Sequence, residues 1–93
     1  MESFVYILQD AGGRYYIGST DNLRRRLNAH RAGYTQTTRN MNSPRLVFNQ
    51  TFSSLKEARS MEKWLKGLKR KDYIAKIVAD GRIRKKLHPS FNG

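Results

Sequence analysis

Seven cations and no acid fall between Asp21 and Glu57: Arg24, Arg25, Arg26, Arg31, Arg39, Arg45 and Lys56. A surface that faces phosphates has this composition, and so does an ordinary solvated basic face. Three side chains in and beyond this interval offer more specific chemistry. Arg26 and His30 lie one helical turn apart on the flank of a leucine stripe. A guanidinium held beside a core clamps phosphate well, because its planar fork binds two oxygens and keeps its charge at any working pH. The plain alternative for Arg26 is one more exposed cation, and for His30 a core-edge imidazole bonded to the backbone. Glu62 falls on the seam between a basic face, formed by Lys56, Arg59, Lys63, Lys66 and Arg70, and a leucine face. A lone carboxylate there can hold Mg²⁺ whose remaining ligands are water and substrate phosphate. Its plain alternative is an i,i+4 ion pair with Lys66, worth about 0.3–0.5 kcal/mol. Glu57 lies about 140° further round the helix, so the two glutamates do not converge on one ion.

Positioning these groups takes a small sheet and several helices. Residues 3 to 8 and 14 to 19 are β-rich runs separated by Asp10-Ala11-Gly12-Gly13, a turn signal, and together they read as a hairpin. With Asp10-Ala11-Gly12 as a three-residue loop and Gly12 left-handed, Leu8 pairs with Arg14 and Tyr6 lies directly across from Tyr16, both phenols on one face. A loop of two or four residues would send them to opposite faces. Ser19, Thr20 and Asp21 offer N-caps for a helix over residues 22 to 32, with Leu23, Leu27 and His30 at helical spacing and Gly33 at its end. Residues 34 to 44 read as a polar loop and residues 45 to 51 as a third strand. Ser54 and Glu57 form a capping box, opening a helix that carries Leu55, Ala58, Met61, Leu65 and Leu68 along one side. A further helix over residues 70 to 80 carries Tyr73, Ile74, Ile77 and Val78 and stops at Gly81. The expected domain covers residues 1 to 81, with a basic tail over residues 82 to 93.

The whole composition agrees with one folded, basic unit. Ninety-three residues suit a single domain, and 38% apolar with 11% aromatic residues can fill a modest core. A net charge of +12 points to a polyanion, with nucleic acid the first candidate. The absence of cysteine excludes disulfide scaffolds, Cys-ligated zinc, Fe–S clusters and thiol nucleophiles. The start lacks the basic and apolar regions of a signal peptide, and every apolar run is far shorter than a membrane span. A cytoplasmic, nucleoid-associated protein with no membrane partner is expected.

The order Phe4-Val5-Tyr6, Tyr16-Ile17-Gly18, Arg26, His30 and a helical Glu62 resembles the GIY-YIG nuclease family, most closely its small standalone bacterial members. The resemblance covers about residues 3 to 75 and includes the stretch Tyr15-Tyr16-Ile17-Gly18-Ser19-Thr20-Asp21-Asn22-Leu23. It implies an α+β fold, a three-stranded antiparallel sheet flanked by helices, and phosphodiester hydrolysis with one divalent ion, Mg²⁺ or Mn²⁺. Tyr6 would help deprotonate the attacking water, although only about one phenol in a thousand is ionised at pH 7, so a cation such as Arg26 must assist it. Tyr16 would contact water or phosphate, and Arg26 would neutralise charge growing on the phosphoryl group. Glu62 would hold the metal, His30 would carry protons or bind phosphate, and Gly18 would let backbone approach substrate closely. Phe4 and Val5 stand where the family's first triplet has glycine and isoleucine, which strand packing tolerates. The family's late asparagine has no assigned counterpart, since Asn92 lies beyond the His88-Pro89 break.

The expected function is therefore a metal-dependent endonuclease acting on double-stranded or branched DNA. Arg24, Arg25, Arg31, Arg39, Lys63 and Lys66 are the candidate phosphate contacts. Such contacts position a protein without reading bases, so sequence specificity is low and targeting falls to DNA shape or a protein partner. Two other classes fit the composition: a nucleic-acid binder on the same fold without cleavage, and a basic module that binds ribosomes or proteins.

Overall fold

The computed structural model describes residues 2–31 and 44–83. Residues 34–43 of the expected loop with Arg39, the helix end at Gly33 and the late tail with Asn92 lie outside the described residues. Three strands, β1 (Ser3–Gln9), β2 (Tyr15–Thr20) and β3 (Arg45–Phe52), form one antiparallel sheet in the order β2-β1-β3. Three described helices accompany it: α1 (Leu23–Arg31), α2 (Leu55–Leu68) and α3 (Lys71–Asp80). Among the described residues no helix is long and apolar enough to cross a membrane.

The sheet is covered on both faces, which explains why β1, the middle strand, reads as an almost unbroken apolar run. On one face Val5, Ile7, Ile17 and Phe48 pack with Ala58, Met61 and Leu65 of α2 and with Ile74 and Ile77 of α3. Ile83, the second residue of the expected tail, is buried in this same core, and its N–H donates to Oε1 of Gln50 at 2.7 Å. On the other face Tyr6 and Leu8 pack with Tyr16, Leu46, Leu23 and Leu27, the last two from α1. An irregularity between Ile7 and Leu8 pairs them with Phe48 and Leu46. Val47 is the extra residue, and the pairing lets β3 feed both cores.

The hairpin differs from the sequence expectation by one loop position. Leu8 pairs with Tyr16 and Tyr6 with Gly18, so the loop is Ala11-Gly12-Gly13 and the left-handed residue is Gly13, at φ 88°. Asp10 causes the displacement. Its Oδ1 accepts the Arg14 N–H at 2.8 Å, while its backbone N–H donates to the Arg14 carbonyl at 3.0 Å, making these two residues the closing pair. The pairing moves by an even number of residues, so Tyr6 and Tyr16 still share a face, now diagonally rather than directly opposed.

Helix ends follow side-chain chemistry. Asn22, not one of the three residues before it, caps α1: its Oδ1 accepts the Arg25 N–H at 3.0 Å, and its own N–H donates to Thr20 Oγ1. Ser54 caps α2 by accepting the Glu57 N–H, as expected, but Glu57 reaches back to the N–H and hydroxyl of Ser53 rather than to Ser54. Lys69 ends α2 at φ 51°, a left-handed conformation usually left to glycine, and Gly81 ends α3 at φ 81°.

Candidate active site

Tyr6, Tyr16 and His30 form one aromatic cluster between the sheet and α1. β1 places Tyr6 on this face because residues alternate along a strand, and α1 delivers His30 one turn after Arg26. Tyr6 and His30 are 1% and 3% exposed, so each buried polar group needs a partner. They supply one another: the Tyr6 hydroxyl lies 2.9 Å from Nε2 of His30. The Tyr16 ring stands 5.2 Å from the imidazole and 6.2 Å from the Tyr6 ring, centre to centre. His30 is thus bonded to a phenol from another element.

Gly18 shapes this cluster in a way the sequence reading missed. A β-carbon on Gly18 would stand 2.5 Å from the Tyr6 hydroxyl oxygen and 2.6 Å from its ring carbon Cζ. The missing side chain makes room for a phenol of this protein.

Electrostatics correct a second expectation. Arg26 does favour the ionised form of Tyr6, but burial, the largest influence, and the neighbouring Tyr16 oppose it and raise the pKa well above the ordinary value. Tyr6 is therefore a phenol at neutral pH. His30 moves the other way: burial first and the Arg26 charge second lower its pKa and keep the ring neutral. In the tautomer protonated at Nδ1, the neutral ring accepts the Tyr6 hydroxyl at Nε2.

Glu62 approaches the same edge strand from the other face of the sheet. Its Oε1 accepts from the Ser19 hydroxyl, and its Oε2 lies 2.6 Å from the Lys66 ammonium. Ser19 follows Gly18 in β2, and the Glu62 charge contributes to the raised pKa of Tyr6, so the carboxylate is electrically coupled to the aromatic cluster. The i,i+4 pair weighed as the plain alternative is thus present, and a metal role requires that Lys66 let go. Ser19, a capping candidate by sequence, instead lies in β2 and donates to Glu62. Strand alternation was the signal that could have placed it on the face of α2.

The oxygen donors Glu62 and Ser19 fit a hard ion such as Mg²⁺ with water and phosphate completing its shell. Among the described residues no group of three His, Cys, Asp or Glu side chains gathers as a dedicated metal cage. Of the candidate phosphate contacts, Arg24, Arg25, Lys63 and Lys66 are exposed, with Arg25 3.7 Å from Asp21 in a solvent-facing pair, and Arg31 is the last residue of α1.

The model of the GIY-YIG catalytic domain matches residues 2–76. The chain belongs to the GIY-YIG family. A UPF0213 protein of Streptococcus pneumoniae serotype 4 is 40% identical over 70 residues, covering 74% of this chain and 71% of that protein. A UPF0213 protein of Clostridium perfringens is 34% identical over 76 residues, covering 81% and 82%. The solution NMR structure of a UPF0213 protein from Bacillus halodurans is similar at a TM-score of 0.56 and 33% identity, covering 87% of each chain. The three-stranded antiparallel sheet with flanking helices is the architecture expected of a GIY-YIG member. The GIY-YIG family is a nuclease family whose members generally use divalent metal ions, and its nuclease domain suggests DNA as the substrate class.

Proposed function

We propose that this protein is an endonuclease that hydrolyses DNA phosphodiester bonds with one divalent ion and low sequence specificity, acting in the cytoplasm at the nucleoid. The observation that carries the reading is the Tyr6–His30 hydrogen bond, beside Tyr16 and within reach of the Arg26 charge. Because Tyr6 is held as a phenol, it works as a relay rather than as a ready-made base. It takes a proton from the attacking water while its own passes to Nε2 of neutral His30. Arg26 offsets charge developing on the phosphoryl oxygens, and Tyr16 orients water or phosphate. Glu62, together with the Ser19 hydroxyl, would hold Mg²⁺ or Mn²⁺, which supplies Lewis acidity and steadies the leaving oxygen. Arg24, Arg25, Arg31, Arg39, Lys63 and Lys66 contact the DNA backbone, and branched structure or a protein partner directs the cut.

Nicking of supercoiled plasmid tests this directly. The reading expects product with Mg²⁺, none with chelator, and at least about a hundredfold slower nicking in Glu62→Ala and Arg26→Ala. Wild-type rates in either variant would sink the site assignment. One observation favours the second reading, DNA binding without turnover: both Glu62 oxygens are already engaged. A gel shift with no product at any metal concentration selects it.

A further inference from the structure

We infer that a basic groove where α2 meets α3 is a second contact for the phosphate backbone of nucleic acid, outside the cluster around Tyr6. The inference rests on the reading that the substrate is nucleic acid, and the groove itself is defined by the fold. It is an open cleft of about 390 Å³ whose cations are Arg14, Lys66, Lys69, Arg70 and Lys71. The lining residues include no carboxylate, although Asp72 pairs with Arg70 at 2.9 Å and Glu62 with Lys66 at 2.6 Å from outside the lining. Leu65 and Ile74 close the bottom, and half-buried Tyr15 supplies the one aromatic ring.

Three features argue that the groove is built for a polyanion. The first is convergence. The Lys71 ammonium extends over the hairpin, 3.5 Å from where a β-carbon on Gly13 would stand, so distant parts of the chain bring cations to one place. Gathered like charges repel, and among the described residues the structure shows ion pairs for Lys66 and Arg70 of these five but none for Arg14, Lys69 and Lys71. The second is Lys69. It holds a left-handed conformation, φ 51° and ψ 32°, in which a β-carbon is strained and glycine is the default. A cation is kept where glycine would end the helix at lower energy.

The third feature is position. Lys66 lines the groove and also pairs with Glu62, so the groove begins where the candidate metal ligand ends. Seven residues of helix from Glu62 to Lys69 rise about 10 Å, which is about three nucleotides at 3.4 Å each. A strand with one phosphate near Glu62 would carry its next phosphates into the groove. Duplex and single strand present the same phosphodiester chemistry there, and both serve as probes.

The test is fluorescence anisotropy of the full chain in EDTA, where binding is read without cleavage, using a 20-base-pair duplex and a 20-nucleotide single strand over a salt series. Lys69→Gly should raise the midpoint of thermal unfolding and at the same time weaken binding about threefold to tenfold. A residue with only a structural role would not split these readouts. Arg14→Gln/Lys71→Gln should flatten the salt dependence by about 0.9 per cation on duplex or about 0.7 on single strand, and the probe that responds identifies the bound form. Lys76→Gln, an exposed cation on α3 outside the groove, should leave both unchanged. Unaltered affinity in Lys69→Gly, or an equal loss in Lys76→Gln, would overturn the inference. Failure of the nuclease reading appears separately, as absent nicking while the groove variants still weaken binding.

Discussion

The Tyr6 hydroxyl and Nε2 of His30, 24 positions apart in sequence, meet at 2.9 Å beneath α1 and satisfy one another. Removing the hydroxyl therefore breaks the relay and leaves a buried imidazole nitrogen without this partner. Tyr6→Phe is expected to slow plasmid nicking by about a hundredfold or more. Urea denaturation should show a loss of about 1–3 kcal/mol, the usual cost of stranding a buried polar atom. A variant that nicks at the wild-type rate would remove Tyr6 from the proton path.

His30 also sets a pH dependence. Its folded pKa is depressed below the ordinary value of about 6.5, so the unfolded chain binds a proton first as the solution is acidified. Stability contributed by this group is complete above pH 6.5, falls as pH drops from there to the lower folded value, and then levels off. Nicking should fade over the lower part of that window, since a protonated ring cannot receive the Tyr6 proton. Comparing thermal midpoints of wild type and His30→Gln between pH 8 and 5 isolates the effect. An acid-side loss of the same size in both proteins would contradict it.

Gly18 gives a steric prediction. Its φ is not in the left-handed region, so alanine fits the backbone, yet the new methyl would overlap the Tyr6 ring at 2.5–2.6 Å. Gly18→Ala should cost about 1–3 kcal/mol through overpacking and displace the phenol from His30. Because the clash is with one side chain, Tyr6→Leu in the same protein should recover stability but not nicking. Additive losses in this double-mutant cycle would show that the two positions are not coupled.

How much of this was legible depended on how local the cause was. The three strands, the long helix and its Ser54 cap follow from periodicity and from neighbours three residues apart, and the sequence reading placed them within a residue or two. The hairpin register missed by one loop position because Asp10 looked like a loop residue, whereas its side chain closes the last pair through Arg14. The shared face of Tyr6 and Tyr16 survived because the displacement was even. The roles of Gly18 and Ser19 were hidden for a different reason. Each is fixed by a partner on another element, Tyr6 for one and Glu62 for the other, and no spacing along the chain records such a contact. The direction of the Tyr6 pKa was hidden likewise, since Arg26 was visible in the sequence but the burial that outweighs it was not.

Lys66 makes the last prediction, because it occupies the oxygen of Glu62 that a metal would need. The pair is short at 2.6 Å, but the lysine is 53% and the glutamate 21% exposed, so solvent screens it and its worth is about 0.3–0.5 kcal/mol. Lys66→Gln should therefore hardly alter thermal stability. Freed of this competitor, Glu62 should take up Mg²⁺ more readily, lowering the half-saturating concentration for nicking about twofold, as that energy converts to affinity. Lys66 also faces the groove, so the measurement is made at saturating plasmid, where weaker DNA binding does not mask the metal dependence. Chelator should abolish nicking in both proteins. An unchanged or higher Mg²⁺ requirement in Lys66→Gln would mean that the ion does not compete for this carboxylate, and Glu62 would then be a structural partner of Ser19 and Lys66 rather than a metal ligand.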